Sequence, residues 1–186
     1  MTDWLQADIV ERQQWTEDLF SLRFSAPITA FKAGQFIQVA LDVEGERLKR
    51  PYSLVNAPDE KLLEIYFNVV KDGPLSPRLA TLAPGDSLWV SSGANGLLVL
   101  EEIPAARHLW LLATGTGIGP FLSILKTAEH WARFEHIVLG QSVQRASQLA
   151  YRELIASLLK THADQLHYVP VVTRDIVAVT LNKRFP

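Results

Sequence analysis

The chain has 186 residues, of which 48% are hydrophobic and 20% charged, and its formal net charge is −2. This composition is typical of a globular protein with a substantial core, and the near-neutral charge provides no basic field to attract nucleic acid or anionic lipid. Cysteine is absent, which excludes disulfides, thiol catalysis and cysteine-ligated metal clusters among these residues.

Other common site types are also missing from the sequence. The five histidines show no H-E-x-x-H or related spacing, so no metal site is predicted. No apolar stretch is long enough to cross a membrane, and the amino terminus lacks the features of a signal peptide. We therefore expect a soluble cytoplasmic protein without nucleic-acid or membrane partners, in which a bound cofactor supplies any chemistry.

The first half of the chain has the pattern of short strands separated by turns. Such a series favours an antiparallel barrel or sandwich. The predicted strands are rich in aromatic and β-branched residues and cover Leu19–Phe24, Gln35–Leu41, Leu62–Val70 and Ser87–Ser92.

One helix is predicted within this half, in the stretch "LSPRLATLAPG". Ser76 suits the N-cap, Pro77 the first helical position, and Pro84-Gly85 the end. The free amides at its amino end could hold a phosphate. An ordinary capped helix explains the same letters equally well.

After Glu102 the pattern changes to alternating strands and helices, which predicts a parallel sheet with right-handed crossovers. The acidic, proline-containing stretch "EEIPAA" suits a linker, so we place the boundary between domains 1–102 and 103–186. The elements predicted after it are strands Leu109–Ala113, His136–Leu139 and Leu166–Thr173, and helices Pro120–Arg133 and Ala146–Leu159.

The turn "ATGTGIGP" joins the first of these strands to the first helix. Its glycines are Gly115, Gly117 and Gly119, and the dinucleotide fingerprint G-x-G-x-x-G would need another glycine where Pro120 stands. The letters do not match, but bare backbone at the first strand-to-helix turn of a parallel sheet suits an anion. A tight turn that only packs the helix is the alternative.

A third motif, "RPYSLVNAP", follows a charged stretch in the first half. On an extended strand Arg50 and Tyr52 share one face and Ser53 lies on the other. Arg50 could bind a phosphate through two guanidinium N–H groups, and Tyr52 could stack on a planar ring. An edge strand with a solvated arginine is the simpler alternative for this motif alone.

In this order and separation, the three motifs resemble those of the ferredoxin–NADP reductase family, in particular its bacterial flavodoxin/ferredoxin branch. "AGQF", "GERLKRPYS", "LSPRLATLAPGD" and "ATGTGIGPFLSIL" are each typical of it, and the resemblance covers essentially the whole chain. It implies an FAD-binding antiparallel β-barrel followed by a Rossmann-like NADP-binding domain. It also implies hydride transfer from NADPH to FAD, followed by the transfer of single electrons to ferredoxin or flavodoxin. We expect a monomer.

The resemblance also assigns residues. Ser53 would hydrogen-bond near the reactive flavin nitrogen and is the predicted catalytic residue. The predicted FAD-binding residues are Arg50, Pro51, Tyr52, Ser53, Tyr66, Phe67, Asn68, Val69, Pro74, Leu75, Ser76 and Thr116. The predicted NADP-binding residues are Thr114, Gly115, Thr116, Gly117, Gln144, Arg145, Arg174 and Arg184.

The sequence departs from the family at two points. Gln144 stands where bacterial members have an arginine for the 2′-phosphate, although Arg145 is adjacent. The chain ends at Pro186, where members continue, so we expect an NADP-binding domain incomplete at its C-terminus. Two alternatives stay open: a free-flavin reductase or oxygenase reductase component with the same fold, and a flavin-binding fragment without turnover.

Overall fold

The computed structural model of the protein describes residues 3–175, which divide into two compact units. The first takes in the chain up to Pro104 together with Gly119–His130. The second takes in Ala105–Ile118 and the chain from Trp131 onward. The helix that follows the glycine turn therefore belongs to the first unit, whereas the turn itself belongs to the second.

The first unit is built on a six-stranded antiparallel sheet of order β4-β3-β6-β1-β2-β5. An isolated bridge between Leu54 and Ile65 joins its two edge regions, so the sheet curls into a barrel. The interior is apolar, with Leu22, Phe24 and Ile37 fully buried. The strands are β1 (Trp4–Gln14), β2 (Leu19–Ser25), β3 (Phe36–Val43), β4 (Glu46–Ser53), β5 (Leu63–Asn68) and β6 (Ser87–Ser91).

β1 and the first part of β4 were not predicted, because polar residues on an exposed face hide them. In β1 most positions after Ile9 are exposed and carry Glu, Arg or Gln, which are poor strand formers by themselves. In β4 half of the run "ERLKRPYS" is charged, and it contains Pro51. Proline is tolerated there because β4 is an edge strand.

The second unit is built on a three-stranded parallel sheet of order β7-β8-β9, which confirms the parallel sheet predicted for this half of the chain. Leu111 and Leu139 pair on its buried face, whereas Trp110 and Leu112 are exposed on the other. Within residues 3–175 no helix is long and apolar enough to cross a membrane. The strands are β7 (His108–Thr114), β8 (His136–Val143) and β9 (Leu166–Val172).

The helices are shorter than the sequence predicted. The helix predicted to end at Arg133 breaks after Leu125, because the Thr127 hydroxyl donates to the Ile124 carbonyl and closes the last turn. The second predicted helix begins late, because Tyr151 is in the left-handed region with φ 59°. The helices are α1 (Ser76–Leu79), α2 (Gly119–Leu125), α3 (Glu129–Arg133) and α4 (Arg152–Thr161), and 3-10 turns cover Leu100–Glu102, Gly115–Ile118 and Ala146–Gln148.

The N-cap prediction for α1 was wrong. Leu75 is the N-cap, and it makes no side-chain capping bond. The Ser76 hydroxyl instead accepts a hydrogen bond from the Val70 N–H at 2.9 Å, which ties the preceding loop to the first helical residue. Pro77 is therefore the second helical residue rather than the first, although it still lies in the first turn.

Candidate functional site

Arg50 and Tyr52 lie on one face of β4, as the strand alternation predicts. They pair with Val39 and Ile37, which are fully buried; Tyr52 packs on the barrel core, whereas Arg50 stays exposed. Tyr52 packs edge-on against Phe67, with ring centroids 5.8 Å apart. Burial raises the pKa of Tyr52 to about 12, and the nearby charge of Arg50 opposes part of that rise. The phenol therefore stays neutral and presents a planar surface.

The polar groups of this motif are available for a ligand. Arg50 is exposed, and its Nη1 donates to the Lys49 carbonyl at 2.7 Å. No carboxylate in the described part of the chain pairs with its guanidinium, whereas nearby Arg47 is held by both oxygens of Asp42. Ser53, at the end of β4, is half-buried, and its hydroxyl has no hydrogen-bond partner among residues 3–175.

The β5 residues divide between the two faces of the strand. Phe67, together with Val69 just after the strand, packs on the barrel core, on the side where Phe67 meets Tyr52. Tyr66 instead packs edge-on against Trp15, and burial raises its pKa. Asn68 is exposed. Only some of the four residues predicted to bind FAD here could therefore contact the same ligand through their side chains.

The loop between β5 and α1 folds back on itself. The Gly73 N–H donates to the Val70 carbonyl at 2.8 Å, and a Cβ at Gly73 would lie 3.1 Å from that oxygen. Pro74 is exposed, while the Leu75 side chain is buried. The Ser76 hydroxyl accepts in its bond with Val70, so its own proton is not used by that bond and can be donated to a phosphate.

These observations fit the flavin dinucleotide that the sequence predicts. A neutral half-buried phenol suits a flat ring, an unpaired guanidinium suits a pyrophosphate, and a free hydroxyl suits a ring nitrogen. The three groups lie within the last four residues of β4, and all belong to the first unit.

In the second unit the glycine turn leaves bare backbone open. Gly115 has a φ of 52°, which side chains rarely adopt, and it directly follows Thr114 at the end of β7. A Cβ at Gly115 or Gly117 would meet no atom within 4 Å. Thr116 is half-buried between them. The space around Gly117 would admit a larger side chain. A turn that only packs the helix therefore does not explain why this residue is a glycine.

The other predicted NADP-binding residues lie at the same edge of the sheet. Gln144 and Arg145 follow β8, and Arg174 follows β9, where its N–H donates to the Gln144 carbonyl at 2.8 Å. All three side chains are exposed. Parallel strands all end at this edge, which is where such sheets bind nucleotides. Arg184 lies outside the described residues.

Asp175 at this edge was missed by the sequence analysis. One of its oxygens accepts the Ala146 N–H at 2.7 Å, and the other lies 3.8 Å from Arg145 Nη1. Its negative charge therefore partly offsets the positive charge of Arg145, the arginine adjacent to Gln144. An acidic residue directly after Arg174 was the available signal, but only the fold brings it to the loop after β8.

Two family models match the chain. A model described as an oxidoreductase FAD-binding domain covers residues 6–98. A second, described as an oxidoreductase NAD-binding domain, covers residues 111–181. The two matches follow the order of the barrel and the parallel sheet.

Curated relatives and solved structures agree with these matches. The chain is 45% identical to the flavodoxin/ferredoxin–NADP reductase of Escherichia coli, over all of this chain and 75% of the relative. It is 38% identical to a ferredoxin–NADP reductase of Pseudomonas aeruginosa, over 90% of this chain and 68% of the relative. A crystal structure of a ferredoxin–NADP⁺ reductase from Neisseria gonorrhoeae with bound FAD and NADP superposes with a TM-score of 0.90 at 31% identity. That match covers 97% of this chain and 73% of the other.

Proposed function

The chain belongs to the flavodoxin/ferredoxin–NADP reductase family, and from this we propose that it is an FAD-dependent oxidoreductase that uses NADPH to reduce ferredoxin or flavodoxin. When bound, FAD accepts hydride from NADPH and gives up its electrons one at a time, which is chemistry that the protein positions and tunes.

One observation carries the proposal: Arg50, Tyr52 and Ser53 combine an unpaired cation, a half-buried neutral phenol and a free hydroxyl at the end of β4. In this proposal the Arg50 guanidinium pairs with the FAD pyrophosphate. Tyr52 lies against the flavin and its ribityl chain, supported from behind by Phe67. Ser53 donates its hydroxyl proton toward the flavin nitrogen that receives hydride.

The remaining predicted contacts are proposed in the same way. Pro51, the strand residues Tyr66–Val69 and the loop residues Pro74–Ser76 line the FAD, and Thr116 borders it. Thr114–Gly117 hold the pyrophosphate of NADPH by open backbone, and Gln144, Arg145 and Arg174 hold its 2′-phosphate end. The open space beside Gly115 and Gly117 supports this role. The finer description of a cytoplasmic monomer with domains 1–102 and 103–186 is also proposed, and sedimentation of the FAD-loaded chain tests its oligomeric state.

The first experiment is a visible spectrum of the purified chain, taken before and after anaerobic addition of NADPH. The proposal expects a flavin spectrum that bleaches, and reoxidation on adding oxidised ferredoxin or flavodoxin. Flavin that stays oxidised would instead support a flavin-binding protein without turnover. Reoxidation by free FMN but not by either protein acceptor would support a free-flavin reductase.

A further inference from the structure

Helix α2 follows the glycine turn directly and lies with one face along a short segment of the first unit. The contact is made by Gly119 and Ser123 of α2 and by Lys126, which directly follows the helix and whose N–H still donates to the Leu122 carbonyl. Their spacing of four and three residues places them in one stripe of the helix. The segment they meet, Val55–Glu60, begins two residues after Ser53.

Each residue of the stripe makes a different kind of contact. A Cβ at Gly119 would lie 3.3 Å from Val55 Cγ2, so the backbone of α2 packs closely there. The Ser123 hydroxyl, fully buried, donates to the Asn56 carbonyl at 2.6 Å. Lys126 Nζ lies 3.1 Å from Glu60 Oε1, with only 16% of its side chain exposed.

The segment under the helix is itself held firmly on β5. The Val55 N–H donates to the Glu64 carbonyl at 2.9 Å. The Asn56 amide accepts the Glu64 N–H and donates to the Ala57 carbonyl. Glu60 Oε1, which pairs with Lys126, also accepts the Ala57 N–H at 3.0 Å. α2 is therefore fastened to a part of the chain with little freedom to shift.

We propose that Ser123 and Lys126 are positioning residues for hydride transfer, an inference that rests on the proposed function. They hold α2 on the segment that continues from the flavin motif Arg50–Ser53. α2 begins at Gly119, directly after the glycine turn, so these contacts hold the amino end of the helix in place with respect to that motif. Because hydride transfer requires close approach of two rings, a small displacement of this end lowers the rate more than it lowers affinity.

The test compares Ser123→Ala and Lys126→Gln with the wild type, each loaded with FAD. Stopped-flow reduction by saturating NADPH is expected to slow about tenfold. FAD content and the dissociation constant of NADP⁺ are expected to stay within about twofold. Hydrogen exchange of the amides from Ile118 to Ser123 is expected to accelerate, and that readout does not depend on turnover.

The controls remove similar interactions elsewhere in the first unit. Thr127→Val deletes a hydroxyl bond at the end of the same helix, outside the stripe, and Lys32→Gln deletes the ion pair with Glu101. Both should reduce flavin at the wild-type rate, and Lys126→Arg should restore it. Lys126 is partly exposed whereas Ser123 is fully buried, so Lys126→Gln tests the inference even if Ser123→Ala folds poorly. Wild-type rates and exchange in both test variants would overturn the inference. A wild type that NADPH cannot reduce would overturn the proposed function itself.

Discussion

Two arginines of the β3–β4 hairpin, Arg47 and Arg50, are in opposite electrostatic situations. Arg47 is paired with Asp42 and lies over the Trp89 ring, 4.2 Å from its centroid. Arg50 has no acidic partner among the described residues. Lysine keeps the charge but not the planar fork. We therefore expect Arg50→Lys to weaken FAD binding about tenfold, the loss of one charge-assisted hydrogen bond.

Arg47→Lys is the matched control, on the same hairpin and with the same chemical change. It should leave FAD affinity close to the wild-type value, because its partner is a side chain of the protein. Titration of apoprotein with FAD, followed by flavin fluorescence, measures both. Equal FAD affinity in Arg50→Lys and the wild type would argue against a pyrophosphate contact at Arg50.

Gln144 is the residue at which coenzyme preference is most open to change. Its neutral amide cannot form an ion pair, and Asp175 shares the charge of neighbouring Arg145. Gln144→Arg should raise the ratio of kcat/KM for NADPH to that for NADH by about tenfold, since it adds a charged hydrogen bond to a phosphate. Ser147→Arg, exposed on the same loop, is the control and should leave the ratio unchanged. An equal effect of both variants would indicate a general charge effect only.

Tyr168 should make stability depend on pH in the alkaline range. Burial raises its pKa to about 12, against the opposing charge of Arg152, and its hydroxyl donates to Gln141 Oε1 at 2.6 Å. Because the folded-state pKa lies above the unfolded value of 10.0, the stabilisation is complete below pH 10 and is lost as pH rises toward 12. The free energy of unfolding, measured with urea between pH 9 and 12, should fall less steeply with pH in Tyr168→Phe than in the wild type. Parallel pH profiles of the two proteins would contradict this role of Tyr168.

At the scale of the element, the glycine turn between β7 and α2 combines two requirements. Gly115 needs a positive φ, whereas Gly117 does not, and neither position is crowded. Gly115→Ala should lower the free energy of unfolding by about 1 kcal/mol and raise the KM for NADPH, because the strained backbone shifts. Gly117→Ala is the control and should change stability by less than about 0.5 kcal/mol. Thermal unfolding and steady-state kinetics measure both, and equal losses of stability would contradict the strain argument.

At the scale of the whole molecule, each unit carries its own set of candidate ligand groups. The flavin motif belongs to the first unit and the glycine turn to the second. Ligands stabilise the residues that bind them by mass action. FAD should therefore slow hydrogen exchange of β4 and the Val70–Ser76 loop, and NADP⁺ added to the FAD-loaded chain should slow that of Thr114–Ile118 and the loop after β8. Mass spectrometry of peptic fragments measures this, and protection by NADP⁺ confined to the barrel would contradict the assignment.

The sequence by itself determined the class of each half and the identity of the family. Short runs of aromatic and β-branched residues between turn residues predict antiparallel strands, and alternating strands and helices predict a parallel sheet, because both patterns arise from local geometry. The motif "RPYS" and the glycine turn were found because their residue types are chemically unusual. β1 and the start of β4 escaped notice, since a strand with one solvated face can be built from charged residues.

Only the tertiary structure decided how these motifs are supported. Ser76 looks like a helix cap in sequence, but its hydroxyl binds Val70 because the loop folds back. Asp175 reaches the loop after β8 only because β8 and β9 end side by side. The stripe of α2 meets Val55–Glu60 across more than sixty residues of chain. Such contacts depend on where distant segments are brought together, and no local pattern of residues records that.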